Sequence, residues 1–299
     1  MKKCLLWGMG KCFSEHVNLV KFHEMTEQFK VIGITSNTSV YSEIRGYKYI
    51  SKNNIKNTDF DIVIIMADGT TFSSIHSEIL ELGIKEEHIL SYRILFHHNF
   101  NVDKCIQLKK NPPSIFSNNC WAGYTYHSLG LEFTSPLINM FESETDYLKL
   151  LKDPKKYMNE TLQLVDTGYN VFYKKEYPIV KCGDITLNFL HYNSFEQALD
   201  CWNRRKQRIN WDNLFVMMYT ESYDTAHEFT KLPYTKKICF VPFNSDDKSL
   251  ICVDFRHVNE MPNLSFTDIV CRMATGACPY YDVFDLIMDT KFTKIAEIL

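Results

Sequence analysis

Asp61–Met66 reads DIVIIM, a continuous apolar and β-branched run. Such a run marks a parallel strand buried on both faces, and it decides the class of the first half of the chain. Upstream, Lys3–Trp7 is a second short apolar run that ends in Gly8-Met9-Gly10. A helix is predicted over 13–28, with Val17, Val20, Phe22 and Met25 at helical spacing, followed by a strand at Phe29–Thr35. Downstream, 72–82 carries Ile75, Ile79 and Leu82 on one helical face, with Gly83 placed to close it, and 89–92 reads as the next strand. Strand, helix and strand in this order imply a parallel sheet with right-handed crossovers.

Gly8 and Gly10 sit where a dinucleotide fold places its phosphate turn, since bare backbone beside a helix start can hold an anion. They are the cofactor-binding candidates, although the cofactor itself stays unknown. Phe13 occupies the place of a third glycine, and the second strand ends in Thr35-Ser36-Asn37 with no carboxylate for a ribose. The pattern disfavours a redox NAD site. A nucleotide or other phosphate ligand, or a fold kept only for structure, stays open. Leu5–Gly10, Phe60–Ile65 and Leu82–Leu90 resemble the small Rossmann-like domains found beside sugar-modifying transferases.

Asn111-Pro112-Pro113 follows Lys109-Lys110 and cannot lie inside a helix or a central strand. The expected division is a Rossmann-like domain over 1–110 and a second α/β domain over 111–299, its sheet mixed or mostly parallel and flanked by helices. With 299 residues, 45% hydrophobic and 23% charged, the chain has the make-up of a soluble globular protein. Lys+Arg 33 against Asp+Glu 36 gives net charge -3, no basis for expecting nucleic acid as a partner. No apolar stretch approaches the roughly 20 residues of a membrane span. The basic start Met1-Lys2-Lys3 is followed by too short an apolar run for a signal peptide. Ten cysteines without CxxC spacing suit a cytoplasmic protein without a structural metal.

In the second half, Ser117–Gly130 (SNNCWAGYTYHSLG) and Cys201–Asn213 (CWNRRKQRINWDN) hold more Asn, Trp, Cys and Arg than a core needs. Ser114–Ser117 reads as a strand, 118–121 as a turn, and 122–129 as a helix stopped by Gly130. Amides exposed at such a helix start can receive an anion, and a Cys120 beside them would have a lowered pKa, as a nucleophile requires. The bland reading is a buried Cys120, with Asn118 and Asn119 capping the helix. A hairpin turning at Gly183-Asp184 puts Ile185, Leu187, Phe189 and His191 on one face, leaving His191 and Tyr192 at the strand end. A helix over 195–208, capped by Ser194, follows. Its Glu196, Asp200, Arg204 and Arg208 are spaced for ion pairs, and Trp202 is expected to pack on Arg205. Alternatively, Arg204, Arg205 and Arg208 fork onto phosphate or carboxylate, with Trp202, Asn210, Trp211, Asp212 and Asn213 against a sugar or base. Strands at 214–219, 237–241 and 250–254 and helices at 225–230, 265–275 and 281–299 complete the reading. Asp212, Glu221 and Asp224 form a carboxylate cluster if the fold joins them.

Taken together, SNNCW-G, LG, SP, CGD…FLHY and WNRRKxRINWDN closely resemble a bacterial family of exopolysaccharide biosynthesis proteins, domain of unknown function family 1919. The matching positions include Asn118, Asn119, Cys120, Trp121, Gly123, Gly183, Asp184, His191, Tyr192, Trp202, Arg205 and Trp211, while Ala122 stands where the family often has Gly. The resemblance implies a role in making surface polysaccharide, without a mechanism. One expectation is a transferase moving an acyl or glycosyl group from a phosphate-containing donor, with Cys120 and His191 catalytic and Trp121 and Tyr192 among the ligand contacts. The acyl version also loosely resembles a capsule acetyltransferase-like family with an Asn-Cys turn. The other is a non-catalytic binding or assembly protein. A nucleotide or sugar ligand and homo-oligomer formation are compatible with either.

Overall fold

The computed structural model describes residues 1–37, 42–97, 99–253, 265–275 and 281–293. The chain divides into two units, Met1–Asn111 with His127–Leu131, and Pro112–Tyr126 with Glu132–Leu299. Both are α/β, and each is organised on a parallel sheet flanked by helices.

In the first unit, β1 (Lys2–Trp7), α1 (Lys11–Met25) and β2 (Phe29–Thr35) are followed by the small hairpin of β3 (Glu43–Ile44) and β4 (Tyr47–Lys48). Then come β5 (Ile62–Ile65), α2 (Gly69–Glu81), β6 (Ile89–Ser91) and α3 (Val102–Lys110). The sheet order is β2-β1-β5-β6, all parallel. Every residue of β5 is buried, which accounts for its unbroken apolar sequence. α1 begins two residues before the predicted 13–28 helix and ends sooner, at Met25, where Glu27 adopts a left-handed φ of 61°.

The second unit opens with β7 (Ser114–Ser117) and α4 (Trp121–Leu129), then α5 (Glu144–Lys152) and α6 (Pro154–Asn159). The long hairpin of β8 (Leu162–Asn170) and β9 (Lys175–Cys182) leads to β10 (Ile185–Asn188), α7 (Phe195–Lys206) and β11 (Leu214–Tyr219). α8 (Tyr223–Thr230), β12 (Lys237–Val241), β13 (Leu250–Cys252), α9 (Phe266–Met273) and α10 (Val283–Asp289) finish it. The parallel sheet runs β13-β12-β11-β7, and a separate antiparallel sheet runs β10-β9-β8. Phe116, Val216, Met218 and Val241 from the first meet Val180, Ile185 and Leu187 from the second in one core with Trp202, Tyr147 and Phe189, which lies just past the end of β10.

Three expectations change. Sequence reading assigned no strand over 162–170, yet β8 is nine residues long. α8 is capped by Ser222, whose Oγ accepts from the Thr225 amide, and it starts before Asp224. β13 ends at Cys252 and α10 at Asp289; Asp254 and residues 294–299, assigned to these elements from sequence, lie outside the described residues.

Gly8 and Gly10 differ in what they require. Gly8 has φ +119°, and a Cβ there would lie 2.8 Å from the Met66 carbonyl oxygen, whereas a Cβ on Gly10 meets nothing. Gly8→Ala is expected to destabilise the first unit by about 1–3 kcal/mol and Gly10→Ala by less than about 0.5. Hydrogen exchange of the β1 amides in the two variants is the check; equal protection would show that Gly8 is not strained.

Candidate functional site

β7 delivers the chain to a turn held by its own side chains. The register of β7 and β11 ends at Ser117 opposite Met217. The Asn118 side chain then takes over the ladder. Its Nδ2 donates to the Tyr219 carbonyl at 3.1 Å, and its Oδ1 accepts from the Tyr219 amide at 3.2 Å. Asn119 Oδ1 accepts from the Trp121 amide at 2.9 Å, and Ser117 Oγ accepts from Ala122 at 3.2 Å while donating to the Asn119 carbonyl. The first two amides of α4, those of Trp121 and Ala122, are therefore satisfied internally rather than open to an anion. Trp121 is fully buried, stacked on Phe215 and bonded through Nε1 to the Tyr281 hydroxyl at 2.9 Å. It is a core residue, not a ligand contact.

This arrangement leaves Cys120 partly exposed, with Sγ 3.5 Å from His191 Nε2. The two residues are 71 apart in sequence. His191 follows β10, on a segment that runs beside 138–141. The His191 amide donates to the Asn139 carbonyl, and Phe141 and Asn188 exchange both backbone bonds at 3.0 Å. The edge of Tyr173, from the β8–β9 hairpin, meets the His191 ring at a centroid distance of 5.5 Å.

A third group completes the electrostatics, and sequence reading missed it. Glu142 is buried, and neither carboxyl oxygen has a hydrogen-bond partner among the described residues. Burial, then the nearby Asp146 charge, push it up to about 8, so it is protonated at neutral pH. Burial, then Glu142, push the Cys120 thiol up to about 11. Burial and the Lys175 ammonium push His191 down. At neutral pH the pair is a thiol beside a neutral imidazole, which corrects the expected low thiol pKa. Nothing near Glu142 in the sequence (MFESE, 140–144) distinguishes it from its half-buried neighbour Glu144.

The arginine-rich segment does not join Cys120 and His191. Leu214 opens β11 opposite Ser114, so residues 208–213 lie at the strand edge opposite the Cys120 turn. Asn210 donates from its amide to Ser114 Oγ at 2.7 Å and from Nδ2 to the Pro112 carbonyl. Trp211 packs its edge on Phe116, with the Lys155 ammonium over its ring, and Asn213 accepts from Lys236. Arg204 is exposed beside Asp200 and Cys201, and Arg208, beyond the end of α7, pairs with Glu132 at 2.5 Å rather than with an acid of that helix. Arg205 is buried, lies over Phe133 rather than Trp202, and donates to the Tyr192 hydroxyl, which donates in turn to the Ile138 carbonyl. Trp202 packs in the core against Phe189. Asp212 lies before β11 and Glu221 and Asp224 after it, so the fold does not join these three carboxylates. No group of His, Cys, Asp and Glu among the described residues has metal-binding geometry.

In the first unit, Gly8 and Gly10 border a cleft of about 780 Å³, with Trp7, Asn37, Asp68 and Thr70 among its walls. It opens where the sheet order reverses between β1 and β5, the usual ligand position in such sheets. Two of its polar side chains are already engaged. Asn37 accepts from Trp7 Nε1 and donates to Glu78, and Asp68 accepts from Tyr92 and Arg93. Burial raises the Asp68 carboxyl, but these hydrogen bonds outweigh it and the group titrates below its ordinary range. A carboxylate at the start of α2 opposes a phosphate there.

The two arginines separate structure from ligand contact. Arg205→Ala is expected to lower stability by about 2 kcal/mol or more, and Arg204→Ala by no more than about 0.5, in denaturant unfolding. Equal losses would contradict the buried Arg205–Tyr192 bond. Glu142 makes a pH prediction. The folded carboxyl keeps its proton up to about pH 8, while an ordinary one loses it near 4.5. Between those values the unfolded state binds fewer protons than the folded state, so stability falls as pH rises. Glu142→Gln removes that fall. It should match the parent near about pH 5 and exceed it by on the order of a few kcal/mol at about pH 9. Parallel pH profiles would show that Glu142 is hydrated.

Two families together match residues 1–288. Residues 1–90 match a family described as C2185-like, N-terminal, and residues 91–288 match the domain of unknown function DUF1919. An uncharacterized protein of Haemophilus influenzae is 28% identical over 195 residues, spanning 63% of this chain and 89% of that protein. With the Asn-Asn-Cys-Trp turn, His191 and the core around Trp202 all inside the matched region, the chain belongs to the DUF1919 family.

Proposed function

We propose that this protein is an acyltransferase that carries its acyl group on Cys120, with His191 as general base. The observation that carries this reading is the 3.5 Å approach of Cys120 Sγ to His191 Nε2 on an accessible turn after a parallel strand. A neutral thiol and a neutral imidazole suit base-assisted attack, in which the proton moves as the bond forms. Sγ attacks the carbonyl carbon of an acyl thioester while Nε2 takes the thiol proton. The tetrahedral adduct collapses, its carbon–sulfur bond to the donor breaks, and the departing thiolate takes that proton. An acceptor hydroxyl then attacks the acyl-cysteine, His191 removes its proton, and Cys120 leaves and recovers it. Protonated Glu142 favours this course, because a second negative charge beside Sγ would oppose the developing oxyanion.

The acceptor class follows from the motif resemblance to exopolysaccharide biosynthesis proteins, and we place the reaction on a hydroxyl of a surface-polysaccharide intermediate. The Arg204–Asn213 segment is engaged structurally, so it lends no weight to phosphate binding there. A small-molecule role for the first unit is supported by the cleft at Gly8 and Gly10.

Intact-mass measurement after incubation with acetyl-coenzyme A and longer acyl-coenzyme A donors tests this. One acyl adduct is expected, mapping to Cys120, absent in Cys120→Ser and formed about 10²-fold more slowly in His191→Ala. No adduct with any donor would favour the binding or assembly reading.

A further inference from the structure

The β8–β9 hairpin outgrows its sheet. β10 pairs only with Ile179–Cys182, so the outer part of the hairpin has β8 and β9 alone. Residues 163–176 are exposed or half-buried throughout. At the tip the chain reads Val171-Phe172-Tyr173-Lys174, and the side chains are out in water: Phe172 is 95% exposed, Val171 74% and Tyr173 64%. The tip is shaped rather than loose. Asn170 Oδ1 accepts from the Tyr173 amide at 3.0 Å, and Lys174 takes a left-handed φ of 49° to close the turn.

Solvating a Phe and a Val at a convex tip forgoes about 1.5–3 kcal/mol of burial for each. The charge beside them is of one sign. The last rung pairs Asn170 with Lys175, Lys174 lies beyond it, and the nearest acid, Glu176, is one rung back. An aliphatic and two aromatic rings flanked by lysines match the headgroup layer of an anionic membrane, where rings enter the interface and ammonium groups meet phosphate. A second copy of the chain fits less well. Three tip side chains offer roughly 500 Å² against the roughly 800 Å² per partner of a stable interface.

We propose that Val171–Lys174 is a docking point for an anionic lipid surface. Tyr173 touches His191, and Lys175 bonds to Asn193 beside it, so docking would present the Cys120–His191 face to the bilayer and to amphipathic acceptors carried in it. The docking stands on the exposure and charge of the hairpin and does not depend on Cys120 being a nucleophile.

Co-sedimentation of the full chain with phosphatidylcholine vesicles, with and without phosphatidylglycerol, tests it. Binding is expected only with phosphatidylglycerol, weakening as salt rises. Phe172→Asp should reduce it about ten-fold or more, and Lys174→Glu several-fold, with thermal unfolding unchanged because the tip has no core contacts. Absence of binding, or binding unaffected by both variants, would overturn the proposal. So would a dimer in sedimentation equilibrium that Phe172→Asp dissociates without any vesicle binding. The readout is lipid binding, so failure of Cys120 acylation leaves it intact.

Discussion

The hydrogen-bonded clamp between the Asn118 side chain and the Tyr219 backbone is the constraint on which the site depends. Parallel strands diverge where their ladder stops, and the chain must then choose a direction. By imitating one further rung, Asn118 carries the pairing of β7 and β11 past Ser117 and fixes where the turn begins. Ser117 and Asn119 close the start of α4, and the buried Trp121 pins the helix to Phe215. Each of these residues faces the protein. Cys120 is left as the turn residue whose side chain points toward His191.

That division of labour explains the unusual electrostatics. A nucleophilic cysteine next to open helix amides would ionise readily, but here the amides of Trp121 and Ala122 are closed by Asn119 and Ser117, and burial opposes the thiolate. Cys120 is thus held as a thiol, and in the proposed reaction its activation would depend on His191. His191 is itself neutral at rest, because burial and Lys175 both disfavour imidazolium. A pair of this kind resists adventitious oxidation and alkylation, since the thiolate is scarce until a substrate carbonyl draws the proton across.

What the sequence disclosed tracks how strongly each residue's surroundings constrain its type. Ile62–Ile65 is legible because both faces of β5 are buried and only apolar residues fit. The Asn-Asn-Cys-Trp turn is legible as special because polar residues are dense beside an apolar strand. The sequence did not show that their hydrogen bonds would be mutual. β8 was illegible, because an arm with both faces in water has no alternation to read. Arg205 misled for a related reason. Its charge suggests a ligand, and only the fold brings Phe133 beneath it and Tyr192 before it. Glu142 carries no local mark at all, although it is buried while Glu144, two residues on, is half-buried.

The hairpin links these levels. Its base is tied into the core by Val180 and Cys182, so its direction is set by the same packing that orients β10 and hence His191. Its outer half contributes Tyr173 to the imidazole edge and Lys175 to the imidazole's charge state. A ligand or surface that moved the tip would therefore act on two properties of His191 at once, its ring position and its basicity. Drawing Lys175 toward an anionic surface would remove a cation that disfavours protonation, and the imidazole would become the stronger base. The outer hairpin, which core packing does not hold down, is thus placed to tune the proton transfer on which Cys120 chemistry would depend.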